Sequence, residues 1–214
     1  MAPLRSRNNV IPLDILATFA LASLLLALAP GPDNIFVMTQ SAVSGARAGV
    51  MVVLGLCSGL VFHSAAVALG LAALIAASPA AFTALKFAGA GYLLYLAYGA
   101  FRAGVSDHAG KVERLSDGAL YRRGVIMNIS NPKVAIFFLA FFPQFMSTSY
   151  GPTGLQVGVL GLTFMVVAFL TFSAIALMAG WLSGWLTRTP KAEIVINRIA
   201  GLVFLGLALK LVLG

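Results

Sequence analysis

The sequence predicts an all-α membrane protein with six transmembrane helices. They form two inverted three-helix repeats, and the first and fourth helices are broken by proline. Three observations lead there. Hydrophobic residues make up 60% of the 214 residues and charged residues 9%, against about 25% charged in a soluble domain. Such a chain cannot cover itself in polar surface, so its solvent is lipid. Apolar runs of about 20 residues recur along the chain, and the alternating ten-residue segments of a barrel are absent. One hydrophilic stretch, "RAGVSDHAGKVERLSDGALYRR" from Arg102 to Arg123, divides the runs into two sets.

The first span runs from about Leu13 to Ala42 and contains "ALAPGPDNIF". Arg5, Arg7 and an Ala27-Leu28-Ala29 end resemble a signal peptide. Pro30 at the cut makes a poor cleavage context, so an uncleaved first helix is expected. The second span, about Gly49 to Ala77, carries "GLCSG", where Gly55 and Gly59 make a small-xxx-small face for close helix packing. His63 in the same span reads as an interhelical hydrogen bonder. The third span is about Ala81 to Phe101. The fourth, about Gly124 to Met146, contains "NISNPKVAIFF"; its aromatics at 137 to 142 read as packing or lipid-facing groups, and Gln144 as an interface residue. The fifth is about Gly154 to Leu186 and the sixth about Ile194 to Leu213.

These spans give an organisation of residues 1–103 as the first repeat, 104–123 as a polar cytoplasmic loop and 124–214 as the second repeat. Each repeat opens on a proline-broken helix, at Pro32-Asp33 and at Pro132-Lys133. "KFAG" (Lys86 to Gly89) echoes "RIAG" (Arg198 to Gly201) in the third and sixth spans. Three spans per repeat is an odd number, so the second repeat inserts upside down, as in many secondary transporters. The bases give the orientation. One side holds Arg47, Arg102, Lys111, Arg114, Arg122, Arg123, Arg188, Lys191 and Arg198; the other holds Arg5, Arg7, Lys86 and Lys210. The first side is expected to be cytoplasmic, with both termini outside.

Proline inside a helix removes a donor and frees carbonyls. Irregular backbone at membrane depth survives only where protein covers it or a cavity wets it. The breaks should therefore face the interior, and the helices that restart after Pro32 and Pro132 offer positive N-terminal ends. Asp33 is the one acid deep within a span, and Lys133 is equally deep; a charge at a helix centre costs about 2.5–3.5 kcal/mol on insertion scales. In the plain reading the two pair and tie the halves together. In the functional reading Asp33 faces an ammonium or carries a coupling proton, while Lys133, Asn131 and the half-helix ends face a carboxylate. Asn128 and Asn131 stand ready to satisfy groups that Pro132 frees. Lys86 and Arg198, near span ends, read as snorkelling bases.

The single cysteine, Cys57, excludes an internal disulfide and a multi-cysteine metal site. The net charge of +8 is spread over short loops, which points to lipid headgroups and not to nucleic acid. No paired carboxylates, Ser-His-Asp set or cofactor motif suggests an enzyme, so neither a cofactor nor a bound metal is expected.

"APGPD", "GARAGVMVVLG", "LKFAGAGYLLYLAYGAFR" and "NISNPKVAIFFLAFFPQF" together resemble the LysE/RhtB family of amino-acid exporters, over nearly the whole chain. The resemblance implies a multi-pass protein of the bacterial inner membrane that exports small amino acids or derivatives. It carries over Pro30, Gly31, Pro32, Asp33, Asn131, Pro132 and Lys133 as site residues. The plan is also similar to that of thiol-reductant transporters, which use a cysteine in each repeat; one cysteine here speaks against electron transfer. The expected function is a proton-coupled exporter working by alternating access, with Asp33 as the proton-coupling residue. The alternative is an inorganic cation or metal exporter on the same scaffold, for which one deep carboxylate is a thin ligand set. The expected partners are an amino-acid substrate and the bilayer, with a homodimer left open.

Overall fold

The computed structural model describes residues 11–104, 113–188 and 190–213. Among these no strand occurs. Eight α-helices follow one another: α1 (Leu13–Leu28), α2 (Pro32–Ser44), α3 (Ala46–Ala77), α4 (Pro79–Arg102), α5 (Asp117–Ser130), α6 (Pro132–Ile136), α7 (Thr153–Arg188) and α8 (Pro190–Leu213). Four of them, α3, α4, α7 and α8, are long and apolar enough to cross a membrane alone. Two further spans arise if each bent pair counts as one: α1 with α2, bent by 61°, and α5 with the helix from Pro132 to Phe145, bent by 49°. The chain is a multi-pass membrane protein of four to six spans.

The breaks follow from local sterics. A residue before proline is pushed out of the helical region by the proline ring. Ala29, before Pro30, has ψ 124°, and Asn131, before Pro132, has ψ 107°. Gly31 is fully extended, and Pro32 then occupies the first turn of α2, where a missing N–H costs nothing. Pro132 opens α6 in the same way.

The fourth span departs from expectation at both ends. It begins at Asp117, not Gly124, because Ser116 caps the helix with its hydroxyl and Asp117 supplies a favourable charge in the first turn. The expected loop therefore ends in a helical segment, and its residues 105–112 lie outside the described residues. At the other end the helix widens into a π-helical stretch, Phe137–Phe141, and tightens into a 3-10 turn, Phe142–Phe145. The aromatics here are packing groups: Phe137, Phe138, Phe141 and Phe142 are fully buried, with Phe137 and Phe142 in ring contact with Phe19 of α1, and Phe137 and Phe138 with Phe164 of α7. Gln144 donates to the Ala140 carbonyl of its own helix, not to a neighbour.

Glycines set how the helices cross. A Cβ on Gly55 would overlap the Tyr121 carbonyl, one on Gly124 the Val52 carbonyl, and one on Gly59 the Asn128 side chain. Helices α3 and α5 thus touch backbone to backbone and run parallel, as the small-residue face predicts. Helix α3 crosses α7 in the opposite sense, with Gly49 near Ala176 and Gly161 near Ser64. Helices α4 and α8 are antiparallel too: Gly89 approaches Leu211, and Gly201 approaches the Phe101 ring. The glycines of the "KFAG" and "RIAG" echoes are the contact points of this one pair.

Candidate functional site

The breaks leave carbonyls that the missing donors no longer serve. Pro30 frees the Leu26 carbonyl, and the extended Gly31 frees that of Ala27. Lys133 Nζ donates to Leu26 O at 3.2 Å and to Ala29 O at 3.0 Å, so the ammonium of the second break closes the end of α1. A cation at a helix C-terminus also meets the negative end of the dipole. Asn34 Nδ2 donates to Ala27 O at 2.7 Å. In the second half Pro132 frees the Asn128 carbonyl, which lies 3.1 Å from His63 Nε2. A carbonyl only accepts, so Nε2 carries the proton. His63 therefore has the interhelical role expected of it.

Asn131 joins the two breaks. Its Oδ1 accepts from the Lys133 backbone N–H at 3.0 Å and caps α6. Its Nδ2 donates to Asp33 Oδ2 at 2.9 Å. Asp33, Asn131 and Lys133 are all buried. Asp33 and Lys133 come to the same interior, yet they form no ion pair within 4.0 Å; the one salt bridge among the described residues is Arg47–Asp117 at the surface. Gly31 stands between the breaks, where a Cβ would lie 3.1 Å from Lys133 Nζ.

Several buried acceptors are left over at the breaks, Asn34 Oδ1 among them. Asp33 Oδ1 and Asn128 Oδ1 are buried without partners. Both residues line a cavity of about 10 Å³, together with Lys133, Leu56, Leu60 and Phe164. That is room for about one water. A second and larger cavity, about 730 Å³, lies on the other side of the α1–α2 break. It is lined by Pro30, Gly31, Pro32 and Asn34 of the break, by Ile175 of α7, and by Glu193, Ile196, Asn197 and Val203 of α8. Asn34 and Asn197 are polar residues in apolar spans that sequence reasoning passed over; that contrast was the available signal. No three His, Cys, Asp or Glu side chains converge among the described residues.

Broken helices that meet inside an apolar bundle, with buried charge at the breaks, define a membrane translocator. The chain belongs to the LysE type translocator family, whose profile matches residues 24–214. It is 36% identical over 188 residues to the homoserine/homoserine lactone efflux protein of Salmonella typhimurium, covering 87% of this chain and 90% of that one. It is 30% identical over 199 residues to the leucine efflux protein of Salmonella choleraesuis, covering 91% and 92%. No solved structure matches the chain.

Proposed function

We propose that the protein exports small neutral amino acids or their derivatives across the bacterial inner membrane, in exchange for protons and by alternating access. The observation that carries this reading is Asp33, with one carboxylate oxygen held by Asn131 and the other buried and unpartnered. An unmatched carboxylate at a helix break calls for a proton or a cation. The water-sized cavity beside it suits a proton or an ammonium group, and Asn128 Oδ1 offers a second acceptor. Pro30, Gly31, Pro32, Asn131, Pro132 and Lys133 form the irregular backbone around it. The relatives named for homoserine lactone and leucine efflux support neutral substrates.

Six spans as two inverted repeats are part of the same proposal. The packing supports it: α3 lies on the second half's broken helix, α7 on the first half's, and α4 on α8. Exchange of partners about one axis generates that pattern. The antiparallel α4–α8 and α3–α7 crossings agree with it.

The test is accumulation of labelled homoserine and leucine in inside-out vesicles with an acid lumen. The parent should accumulate both, and Asp33→Asn should lose the response to the gradient while staying folded. A parent that moves no amino acid sinks the exporter reading; Asp33→Asn that responds like the parent sinks proton coupling at Asp33.

A further inference from the structure

The larger cavity extends from the middle of the bundle to one end. Its deep edge is the break at Pro30 to Pro32, and its outer edge is Ala103 and Glu193, next to Arg102 and Lys191. This is the base-rich end, which faces the cytoplasm under the positive-inside rule. The opposite half is filled by the fully buried phenylalanines of the π-helical stretch and its neighbours. The groove reaches the end from which an exporter would load, and it also opens sideways, where Leu28, Ile35 and Ile199 are about half exposed.

The cavity is not a plain apolar groove. Helix α2 begins at its deep edge and, unlike α6, has no side-chain cap. Among the described residues the N–H groups of Gly31 and Asn34, which border the cavity, make no backbone hydrogen bond and lack intrahelical acceptors. Across from them stands Asn197. It is 8% exposed, lines the cavity, and makes no side-chain hydrogen bond among the described residues. Two sets of polar groups, the N–H groups opening α2 and the Asn197 amide, border one space and point to a polar ligand between them. The remaining walls are mostly aliphatic, Ile175 and Val203 among them, with Glu193 at the outer edge. A volume of about 730 Å³ lies within the roughly 300–1,000 Å³ of small-molecule sites.

We propose that this cavity is the cytoplasmic loading site, where the N–H groups opening α2 and the Asn197 amide hold the carboxyl or ester carbonyl of an amino acid or its lactone. The aliphatic walls take the side chain, which selects neutral over charged substrates. This inference rests on the exporter reading. It adds a site apart from the Asp33 cavity and makes Asn197 a specificity residue.

The test uses Ile196→Cys in a Cys57→Ser background, in inside-out vesicles. A water-soluble methanethiosulfonate should modify Cys at 196, and saturating homoserine or leucine should slow that reaction at least about fivefold, as expected for a site more than four-fifths occupied. In a separate arm Asn197→Leu should raise KM about tenfold, the equivalent of one lost hydrogen bond, with maximal rate and melting temperature near the parent's. Asn197→Gln should recover part of the loss. A parent that transports while Cys at 196 stays unmodified means a lipid-filled groove and overturns the loading site. So does modification that a transported substrate does not slow, or an unchanged KM in Asn197→Leu. A parent that transports nothing strikes the exporter reading instead.

Discussion

Asn131 donates to Asp33 across the two helix breaks, 2.9 Å from Nδ2 to Oδ2, while its own carbonyl oxygen caps the helix that carries Lys133. One side chain thus fixes the distance between the breaks and holds the carboxylate in one rotamer. Replacing it separates these tasks. Asn131→Asp keeps an N-cap acceptor but sets a second carboxylate against Asp33. Asn131→Ala loses the cap, worth about 1 kcal/mol, and the bond to Asp33 as well. Both variants should lose most transport, and Asn131→Ala should melt at the lower temperature. Transport by Asn131→Asp at the parent rate would show that the amide bond to Asp33 is dispensable.

Lys133 serves the carbonyls of α1, and this decides how charge variants behave. Lys133→Met leaves Leu26 O and Ala29 O unserved, at about 1–3 kcal/mol per buried group. A second change, Asp33→Asn, supplies no donor to them, so the double variant should melt no higher than Lys133→Met alone. The charge swap, Asp33→Lys with Lys133→Asp, would aim a carboxylate at carbonyl oxygens and should fail to fold. Full thermal rescue by Asp33→Asn would mean that the two charges act as a simple pair.

The α3–α5 crossing tolerates no side chain. Gly124→Ala drives a methyl group into the Val52 carbonyl and should abolish folded protein or lower the melting temperature by several degrees, since overpacking costs about 1–3 kcal/mol. Gly91→Ala on α4 meets nothing within 4 Å and should leave melting unchanged. Size-exclusion profiles in detergent check both.

Orientation has two convenient probes. A cysteine at Gly118, whose Cβ direction is open, should resist an impermeant maleimide in intact cells when placed in a Cys57→Ser background. One at exposed Ser149 should react. The reverse pattern would invert the topology and put the large cavity on the periplasmic face. Ser106, in the cytoplasmic loop of the sequence reading, and the basic Arg5 and Arg7 lie outside the described residues.

The helix breaks were legible because proline acts locally, and Pro30, Pro32 and Pro132 restrict the residue before them whatever surrounds it. The Gly55–Gly59 face was legible for the same reason. The partners of Lys133 were not. They are backbone carbonyls, which every residue carries, so nothing in the sequence marks Leu26 and Ala29. A pairing of opposite charges was one of the two sequence readings, and the geometry instead puts Asn131 beside the acid and carbonyls beside the base. The π-helical turn at Phe137–Phe141 was hidden as well, because it depends on how rings from α1 and α7 fill the space. Asn197 was missed because its meaning comes from the cavity it borders, not from its neighbours in sequence.

The bond from Lys133 to Ala29 spans 104 positions, and that separation has a consequence for biosynthesis. At roughly 5–20 residues per second the ribosome needs several seconds to supply Lys133 after α1 has emerged. During that interval the carbonyls of the first break have no ammonium to serve them, and the glycine face of α3 has no α5 to lie against. A nascent chain cannot leave such groups in hydrocarbon. The first three helices must therefore wait beside the insertion machinery, or in contact with water, until the later ones arrive. The two halves, made as separate polypeptides, should be degraded alone and recovered together when co-expressed.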